Sequence, residues 1–597
     1  MASLLNFYDL RCPLYEHLTG PDLLNLHLAS PKDSPELKPL AALIANYNYS
    51  VSMVWPTLTI TPQAMQSRDE RKLLAGLSEI VPKMSFSDLS VLKSYIETNG
   101  SMAVSFSKRP RLEFTGSQMS ESEILDLAQL IKVPKLDSVS LSDSTVSPET
   151  LTQFCKAVAQ SQVSHLALQF TFAHTDCLVA IADALESGSS ALKQLDLVRS
   201  HVGNDGIIAL ARVIGAKSGS TLTSLKLLGT GGIWKIGMTA LAEALRSPHC
   251  HLQYLEIMIW DDSITQGTSP NMILPSPISP ITRALVSANA NLKVLKLADC
   301  ILTRLEAKEI ADAIQSNPNL KLDELDLSHN LLANDGIEIL AKSPLLSRIA
   351  RLHLGHNGIG AEGAVALSQL ISDPASRLKH LDLQENEIGD AGAEAIGKAL
   401  EQSRSQLTLL NLKFNRIGSN GAYYIARALA TGHCKILDLD LQSNRLGPDG
   451  GKNIVKAIAI GHSKLKKLNL RRNQLRDNGV QAIARYIGRT QVEDLDLGRN
   501  QLTTRGLATL ADALIGTNSD DDGKSSLRHL DFTESQFGED GAAILAKLFG
   551  KVPRLASITI QDCQIGRKGC QLLLKALSPR NNIFLHQSIQ IQCRIYQ

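Results

Sequence analysis

The sequence predicts an α/β fold in which short strands and helices alternate along a curved solenoid. Its first sign is a recurring pattern, seen in LDELDLSHNLLANDG at 322–336, LKHLDLQENEIGDAG at 378–392 and LKKLNLRRNQLRDNG at 465–479. Its second sign is a constant period, because the second Leu of the pattern recurs every 29 residues at Leu352, Leu381, Leu410, Leu439 and Leu468. A fixed period of this length is typical of stacked repeats and not of separate globular domains.

Each part of the pattern has a physical role. Alternating Leu residues give a short strand one apolar face, so that successive strands can stack in parallel. The Asn amide is expected to satisfy backbone groups of the turn after the strand. The remainder of the period has room for a helix, and GAEAIGKALEQS at 392–403 has apolar residues three and four apart.

The pattern Leu-x-x-Leu-x-Leu-x-x-Asn followed by a helix resembles the ribonuclease-inhibitor-like class of leucine-rich repeats. That resemblance implies a horseshoe of strand–helix units. Counting motifs from Leu112 to Ile558 predicts 16 units of 27–30 residues, which occupy 101–578. A weaker candidate, WPTLTITPQ at 55–63, places the start of the array inside the N-terminal region.

Two steps between motifs are long and predict insertions. The first is SITQGTSPNMILPSPISP at 263–280, and the second is GTNSDDDGKSS at 516–526. The first is rich in Ser and Pro and predicts a loop without regular structure, which could be deleted and which could be phosphorylated at Ser269, Ser276 or Ser279. A tolerated surface excursion is the simpler interpretation of both.

The two ends differ from the repeats. Residues 1–100 predict a helical cap, in which Leu18 is followed by a turn and by Asp22, Leu23 and Leu24. The order of these parts resembles the second half of an F-box, a module that docks an adaptor of cullin ubiquitin ligases. An N-terminal cap explains the same residues, since solenoid ends need capping. Residues 579–597 alternate apolar and polar side chains and predict a C-terminal cap.

Composition favours no charged partner. The chain has 61 Lys and Arg against 59 Asp and Glu, which predicts binding to neither nucleic acid nor a membrane surface. No secretory signal or membrane-spanning run is present in the sequence, so we expect a cytoplasmic or nuclear protein. The nine Cys residues have no metal spacing, and Cys300 and Cys563 fall on the Asn position of their motifs.

Catalytic motifs are missing from the sequence. It contains no G-x-x-x-x-G-K-[ST] phosphate loop, no H-E-x-x-H, no C-x-x-C pair and no G-x-S-x-G. We therefore expect no catalytic, cofactor-binding or metal-binding residues. A GTPase-activating protein of the Ran type, which has similar repeats, is an alternative, with Arg199, Arg304 and Arg445 as loop arginines. A pathogen effector that binds host proteins is a further alternative.

Partner-binding residues are predicted on the concave face, where the side chains between the Leu positions form rows. One row is largely acidic, and it lies next to a patch of basic residues with one Phe. Tyr254 and Trp260 form a second candidate surface, since aromatic residues flanked by charge are typical of interface anchors. The predicted face residues are Asp382, Asn411, Lys413, Phe414, Asp440, Lys467, Asn469, Arg471, Arg472, Asp496 and Arg499.

The sequence thus predicts a non-catalytic scaffold that binds a protein partner through its concave face. The F-box resemblance implies a sharper form, the substrate receptor of a ubiquitin ligase.

Overall fold

The structure is a computed structural model. It describes residues 51–54, 57–60, 83–90, 92–93, 96, 111–131, 136–144, 146–169, 175–200, 202–217, 220–229, 235–259, 276–286, 291–317, 320–343, 346–402, 405–461, 463–516, 525–552 and 554–576. These residues fall into two compact units. The first contains the described residues up to Ile259 together with Asn291 and Leu292, and the second those of 276–286 and 293–576.

The first unit is a parallel sheet with helices between its strands. Strands β2 to β9 pair in parallel in chain order, and β1 pairs antiparallel with β2. The strands are β1 Val51–Val54, β2 Thr57–Ile60, β3 Lys83–Phe86, β4 Arg111–Ser117, β5 Leu136–Ser142, β6 His165–Gln169, β7 Gln194–Val198, β8 Ser224–Leu228 and β9 Tyr254–Met258. The helices are α1 Glu121–Leu130, α2 Pro148–Ala159, α3 Thr175–Glu186, α4 Gly203–Ile214 and α5 Lys235–Arg246.

The second unit repeats the arrangement with shorter strands, which pair in parallel from β10 to β19. They are β10 Val294–Lys296, β11 Glu324–Asp326, β12 Arg351–His353, β13 His380–Asp382, β14 Leu409–Asn411, β15 Asp438–Asp440, β16 Lys467–Asn469, β17 Asp494–Asp496, β18 His529–Asp531 and β19 Ser557–Thr559. The helices are α6 Ser279–Ala284, α7 Arg304–Ser316, α8 Ala333–Ala341, α9 Ala361–Ser372, α10 Gly389–Gln402, α11 Ser419–Ala430, α12 Gly447–Ile460, α13 Arg476–Ile487, α14 Thr504–Gly516, α15 Gly538–Lys551 and α16 Gly566–Ala576, with a 3₁₀ turn at Leu346–Arg348.

Strand register confirms the leucine count in the second unit. Leu352, Leu381, Leu410, Leu439 and Leu468 pair with one another on successive strands and are buried. Together with the Leu residues of the helices they form the core between strand and helix layers, whose burial drives the stacking.

Equal spacing of the motifs back to Leu112 also predicts that Leu112 is the strand partner of Val139, 27 residues later, and this register assignment was wrong. Val139 pairs with Phe114 and not with Leu112, because the pairing of β4 with β5 shifts between Leu112 and Glu113. The extra residue at this irregularity accounts for the missed step. Parallel pairing continues upstream to β2, so the sheet includes the strand at Thr57–Ile60. A further strand, Lys83–Phe86, was not named from the sequence, although Leu58 and Leu112 are separated by two steps of the repeat.

The Asn of each motif holds neighbouring repeats together. The Asn444 side-chain oxygen accepts hydrogen bonds from the backbone N–H groups of Asn415 and Ile417 in the preceding repeat, at 3.0 and 2.9 Å. Its amide nitrogen donates to the carbonyls of Leu412 and Leu441, at 2.9 and 3.0 Å. Equivalent bonds recur at Asn330, Asn357, Asn386, Asn415, Asn473 and Asn500, which are all buried and form what we call the Asn ladder. The expected role of this Asn is confirmed.

The residue before each ladder position has a left-handed backbone. Phe414, Arg472 and Arg499 have φ values of 54°, 55° and 55°. Such values are uncommon for residues other than Gly, and here the neighbouring Asn bonds fix the turn that requires them. The backbone therefore fixes the position and direction in which the side chains at these positions leave the turn.

A second recurring contact was not predicted from the sequence. Two residues before the first apolar residue of many motifs, a Ser or Thr hydroxyl accepts the backbone N–H two residues on, as in Ser463 with Leu465 at 3.4 Å. The same bond occurs at Ser161, Ser190, Ser220, Ser376, Ser405, Thr490 and Ser525. This short side-chain turn precedes the strand in those repeats.

The end of the first predicted insertion is ordered, which corrects its boundary. Ser276 and Ser279 are only 4% and 3% exposed, and Ser279 begins α6. The Glu306 carboxylate accepts hydrogen bonds from the Ser276 backbone N–H and the Ser279 hydroxyl, both at 2.9 Å. These serines belong to the repeat, so a deletion that extends to Ser276 or beyond would remove core contacts, and neither serine is accessible for phosphorylation. Ser269 lies outside the described residues.

The second insertion is also shorter than predicted at both ends. Gly516 is the last residue of α14, and Ser525 is buried in the segment before β18. Cys300 and Cys563 are buried at their ladder positions. Among the described residues, no helix combines the length and the apolar character needed to cross a membrane.

Candidate functional site

Side chains that flank the central Leu of each strand in β10–β19 are partly exposed, and we call this surface the strand face. The central Leu of each three-residue strand is buried between its two neighbours. Six residues predicted for partner binding lie on this face: Asp382, Asn411, Asp440, Lys467, Asn469 and Asp496.

The acidic row of the strand face has a structural task as well as a charge. The Asp440 carboxylate accepts the backbone N–H of Gln442 at 2.8 Å, and the Asp496 carboxylate accepts that of Gly498 at 2.8 Å. At the same row position, the Asn469 side chain accepts the N–H of Arg471 at 3.0 Å. These side chains turn the chain after each strand.

Burial changes the proton affinity of this row. Burial, together with the negative charge of Asp531, raises the pKa of Asp496 to about 6. Burial also raises the pKa of Asp440, although the N–H of Gln442 and the amide of Asn469 oppose the effect. Asp440 and Asp496 therefore hold their protons more tightly than exposed carboxylates do.

Charged side chains of the strand face pair with one another across repeats. Lys466 lies 2.7 Å from Glu493, and Lys467 lies 3.9 Å from Asp494. These contacts pair opposite charges of neighbouring repeats with one another. Pairs of this exposure contribute little to stability, so a partner can replace them at low cost.

Arg471 and Arg472 do not form one exposed patch, contrary to the prediction. The Arg471 side chain is 19% exposed and lies 3.8 Å from Asp531 and 3.9 Å from Glu534. A Cβ atom at Gly498 would lie 2.7 Å from its guanidinium, so this Gly makes room for Arg471 on the strand face. Arg472 is exposed and points into a different region.

That region is a cleft of about 710 Å³ beside the strand face, built by the turns after β14–β18. Its walls come from the residues immediately before and after the ladder position of five successive repeats. The lining residues, which we call the Arg cleft, are Phe414, Arg416, Ser443, Asn444, Arg445, Arg472, Gln474, Arg499, Gln501, Glu534 and Gln536.

Phe414 is the only aromatic residue that lines the Arg cleft, and cations surround it. The Lys413 ammonium lies 5.3 Å from the centre of its ring, and the Arg472 guanidinium lies 5.9 Å from it. Both distances fall in the range of cation–π attraction. The structure thus brings together four predicted residues, namely Lys413, Phe414, Arg472 and Arg499.

Sequence reasoning missed Arg416 as a site residue and considered Arg445 only as a loop arginine. Both directly follow a ladder Asn, and this position in the motif was the available signal. Arg416 pairs with Glu387 at 2.8 Å, and Arg499 donates to Glu534 at 2.6 Å. Within the described residues, Arg445 and Arg472 are exposed and form no ion pair with a carboxylate.

Tyr254 lies in a separate network of the first unit. Its hydroxyl donates to the Glu256 carboxylate at 2.5 Å, and the Lys226 ammonium lies 5.6 Å from its ring centre. Lys226 also lies 3.6 Å from Asp196, which His165 contacts at 3.1 Å. Trp260, Leu18, Asp22, Leu23 and Leu24 lie outside the described residues, so their predicted roles stay predictions.

No metal site emerges from the geometry. In the part of the chain that the structure describes, no three His, Cys, Asp or Glu side chains are grouped so that they could hold an ion.

Comparison with known proteins gives repeats of the same kind. The family described as "Leucine Rich repeat" matches residues 188–211, 350–368, 377–397, 406–426, 432–455 and 461–484. The chain is 27% identical over 221 residues to the ribonuclease inhibitor of Sus scrofa, covering 34% of this chain and 47% of that protein. It is 26% identical over 250 residues to NACHT, LRR and PYD domains-containing protein 13 of Homo sapiens, covering 39% and 24%.

These matches span less than half the length of both relatives. Among solved structures, the complex of Rad7 and Elc1 in yeast matches with 16% identity and a TM-score of 0.38, covering 66% of this chain and 84% of that one.

Proposed function

Because this chain is a leucine-rich-repeat protein with ribonuclease-inhibitor-like units, we propose that it is a non-catalytic scaffold that binds a partner protein. The second unit contributes the binding surface, which consists of the strand face and the Arg cleft beside it. The observation that supports this most is the Arg cleft itself, a concave surface lined by residues of five repeats. The matches cover less than half of each relative, so the identity of this chain's partner is itself a proposal.

Electrostatics favour a protein as the partner. The strand face carries both signs of charge in rows, with Lys467 beside Asp494 and Arg471 between Asp531 and Glu534. A surface of mixed sign selects a partner of complementary pattern and speeds its encounter. A polyanion such as nucleic acid would be repelled by the carboxylates of Asp440, Asp496 and Asp531 on the same face.

Photo-crosslinking tests the proposal. A benzophenone amino acid placed at Lys467 or His529, which are exposed on the strand face, should crosslink to a discrete protein in cells that express the chain natively. The same probe at Lys456 or Arg485, which are exposed on α12 and α13 of the same region, is the matched control. The proposal predicts the adduct from the strand positions alone.

Equal adducts from strand and helix positions would instead place binding elsewhere or show nonspecific capture. Identification of the adduct by mass spectrometry then distinguishes the sharper hypotheses. An adaptor of a cullin ligase would support the F-box resemblance, and replacing Leu18, Leu23 and Leu24 with Ala should then abolish its binding. A GTPase would support the Ran-type alternative, for which Arg199, Arg304 and Arg445 are the exposed candidates.

A further inference from the structure

We propose that the Arg cleft binds an acidic segment of a partner in an extended conformation, with its carboxylates on Arg445 and Arg472. This inference rests on the proposed scaffold function and specifies the chemistry that one part of the surface takes. Three features of the cleft support it: its length, its charge and its polar lining.

The length of the cleft suits an extended chain. It is lined by the turns after five parallel strands, β14 to β18. Neighbouring strands lie about 4.8 Å apart, so five rows span about 19 Å. An extended peptide rises about 3.3 Å per residue, so roughly six residues cover the cleft.

The charge of the cleft is positive at its middle and balanced at its ends. Arg416 already pairs with Glu387 at one end, and Arg499 already donates to Glu534 at the other. Between these pairs, Arg445 and Arg472 are exposed and free of carboxylate partners among the described residues. Two carboxylates from a ligand would complete the row, with the bidentate geometry that guanidinium groups favour.

The other lining residues suit a peptide backbone and one apolar side chain. Gln474, Gln501 and Gln536 carry amides that both donate and accept, so they can pair with the N–H and C=O groups of an extended strand. Phe414 offers a half-buried ring for an apolar ligand side chain, within a row that otherwise carries polar groups.

The same features disfavour a nucleic acid strand. Single-stranded nucleic acids bind through stacked bases on several aromatic side chains and a continuous cationic track. The cleft has one aromatic residue, and Glu387 and Glu534 stand at its two ends. A chain of phosphates would meet both carboxylates, whereas a short acidic segment fits between them.

A pair of synthetic peptides tests the inference on the full chain. The probe is fluorescein-labelled Gly-Ser-Leu-Glu-Ser-Glu-Ser-Gly-Ser, and its partner has both Glu residues replaced by Gln. Fluorescence anisotropy at low ionic strength should give about tenfold tighter binding of the acidic peptide, as expected for two charge-assisted contacts. Combined Arg445→Glu and Arg472→Glu should abolish this preference.

The cleft variant should fold normally. Glu already occupies the equivalent left-handed position of Arg472 in two other repeats, at Glu385 and Glu534, with φ values of 54° and 59°. The matched control combines Lys456→Glu and Arg485→Glu, which make the same change in net charge on the exposed sides of α12 and α13. This control should keep the preference for the acidic peptide.

Three results would overturn the inference: no acidic-peptide binding at millimolar concentration, an equal loss in the control variant, or displacement of the peptide by a labelled oligothymidine at lower concentration. Failure of the scaffold function gives a different result. If the crosslinks from Lys467 and His529 persist while the peptide preference is missing, only the acidic-segment inference fails. If the peptide binds but no strand-face adduct forms, the broader proposal fails.

Discussion

In the seven repeats from Asn330 to Asn500, one buried amide satisfies backbone groups of two repeats at once. Asn444 accepts from two N–H groups and donates to the carbonyls of Leu412, Leu441 and Gln442. Unpaired buried groups cost about 1–3 kcal/mol each, so this position is among the most constrained on the chain. The row of Asn residues is nevertheless interrupted at Ser535, whose buried hydroxyl has no hydrogen-bond partner in the described structure.

We therefore predict that Ser535→Asn stabilises the protein by about 1–2 kcal/mol, because the longer amide can reach the backbone groups that Ser535 cannot. Most substitutions of a buried residue by a larger one lower protein stability, so a gain in stability would be specific evidence for the new hydrogen bonds. Chemical denaturation should show the gain. Ser535→Ala separates removal of the unpaired hydroxyl from addition of the amide contacts. It only removes the hydroxyl, so it should increase stability by less than Ser535→Asn does. A loss of stability in Ser535→Asn would mean that the Phe532 and Phe537 rings leave no space for it.

Asp496 makes stability depend on pH. Its folded-state pKa, raised to about 6 by burial and by Asp531, lies above the ordinary value of 3.8. The folded protein therefore binds this proton more tightly than the unfolded chain, and stability falls as pH rises from about 4 to about 6. Above that window the ionised, half-buried carboxylate remains a cost.

Asp496→Asn should remove this cost and stabilise the protein at pH 7.5 by about 1–2 kcal/mol. A shift of about two pKa units sets an upper bound near 3 kcal/mol, and partial exposure reduces it. Asn already serves the same turn at Asn469, so the backbone contact should be kept. Urea denaturation at pH 4 and 7.5 checks the prediction. Asp496→Ala, which lacks the acceptor for Gly498, should not stabilise, and a gain that is equal at both pH values would contradict the titration.

At the scale of elements, the first turn of α7 anchors the segment that enters α6. Glu306 is fully buried in the capping box of α7, where it also accepts the backbone N–H of Thr303 at 2.9 Å. Burial raises its pKa, but the hydrogen bonds of Thr303, Ser276 and Ser279 outweigh burial and lower the pKa below its ordinary value. The carboxylate is thus kept ionised by its partners.

Ser279→Asp should destabilise the second unit by about 3 kcal/mol or more, because it places a carboxylate against the buried Glu306 carboxylate. Scanning calorimetry would show the lower melting temperature. Ser269→Asp, in the part of the predicted insertion outside the described residues, should leave the melt unchanged. An unchanged melting temperature in Ser279→Asp would show that α6 can separate from α7 without a loss of stability.

The repeats and the ladder were predictable, since they depend on single positions with a fixed period. The Leu residues from Leu352 to Leu468 occupy one position of the motif, and the ladder Asn residues occupy another. The motif position alone therefore predicts the role of each residue. The Arg cleft was only half predictable. Its walls combine two positions of the motif, and side chains from both positions converge because the backbone is left-handed at Phe414, Arg472 and Arg499. In the sequence, the Arg residues of the cleft look like the Arg residues that are common on any protein surface. The order of Ser276 and Ser279 depends on the distant Glu306, which a local Ser and Pro count cannot reveal.

At the scale of the whole molecule, the described chain consists of two compact units, each held by contacts between adjacent repeats. Stability in such arrays is a sum over repeats and their immediate interfaces, so damage in one repeat spreads mainly to its neighbours. Long arrays commonly lose cooperativity between segments.

We predict at least two thermal transitions, of which Asn444→Ala lowers only the one that belongs to the second unit. The expected cost is about 2–4 kcal/mol, since several buried backbone groups lose their partners. Leu225→Ala in β8 is the matched change in the first unit and should lower the other transition, by about 2–5 kcal/mol. Hydrogen exchange of the two variants assigns the transitions. A single transition that moves in both variants would show that the chain unfolds as one.

The rows of the Arg cleft follow the strand spacing of about 4.8 Å, whereas same-side residues of an extended peptide recur about every 6.7 Å. The two periods are incommensurate. With the ligand in register at the row of Arg445, the row of Arg472 is out of step by about 1.9 Å, which a long guanidinium side chain can bridge, and the next row by about 2.9 Å. Additional identical repeats would therefore add little affinity. Selectivity would depend on how the ligand side chains are aligned with the rows and not on the number of rows.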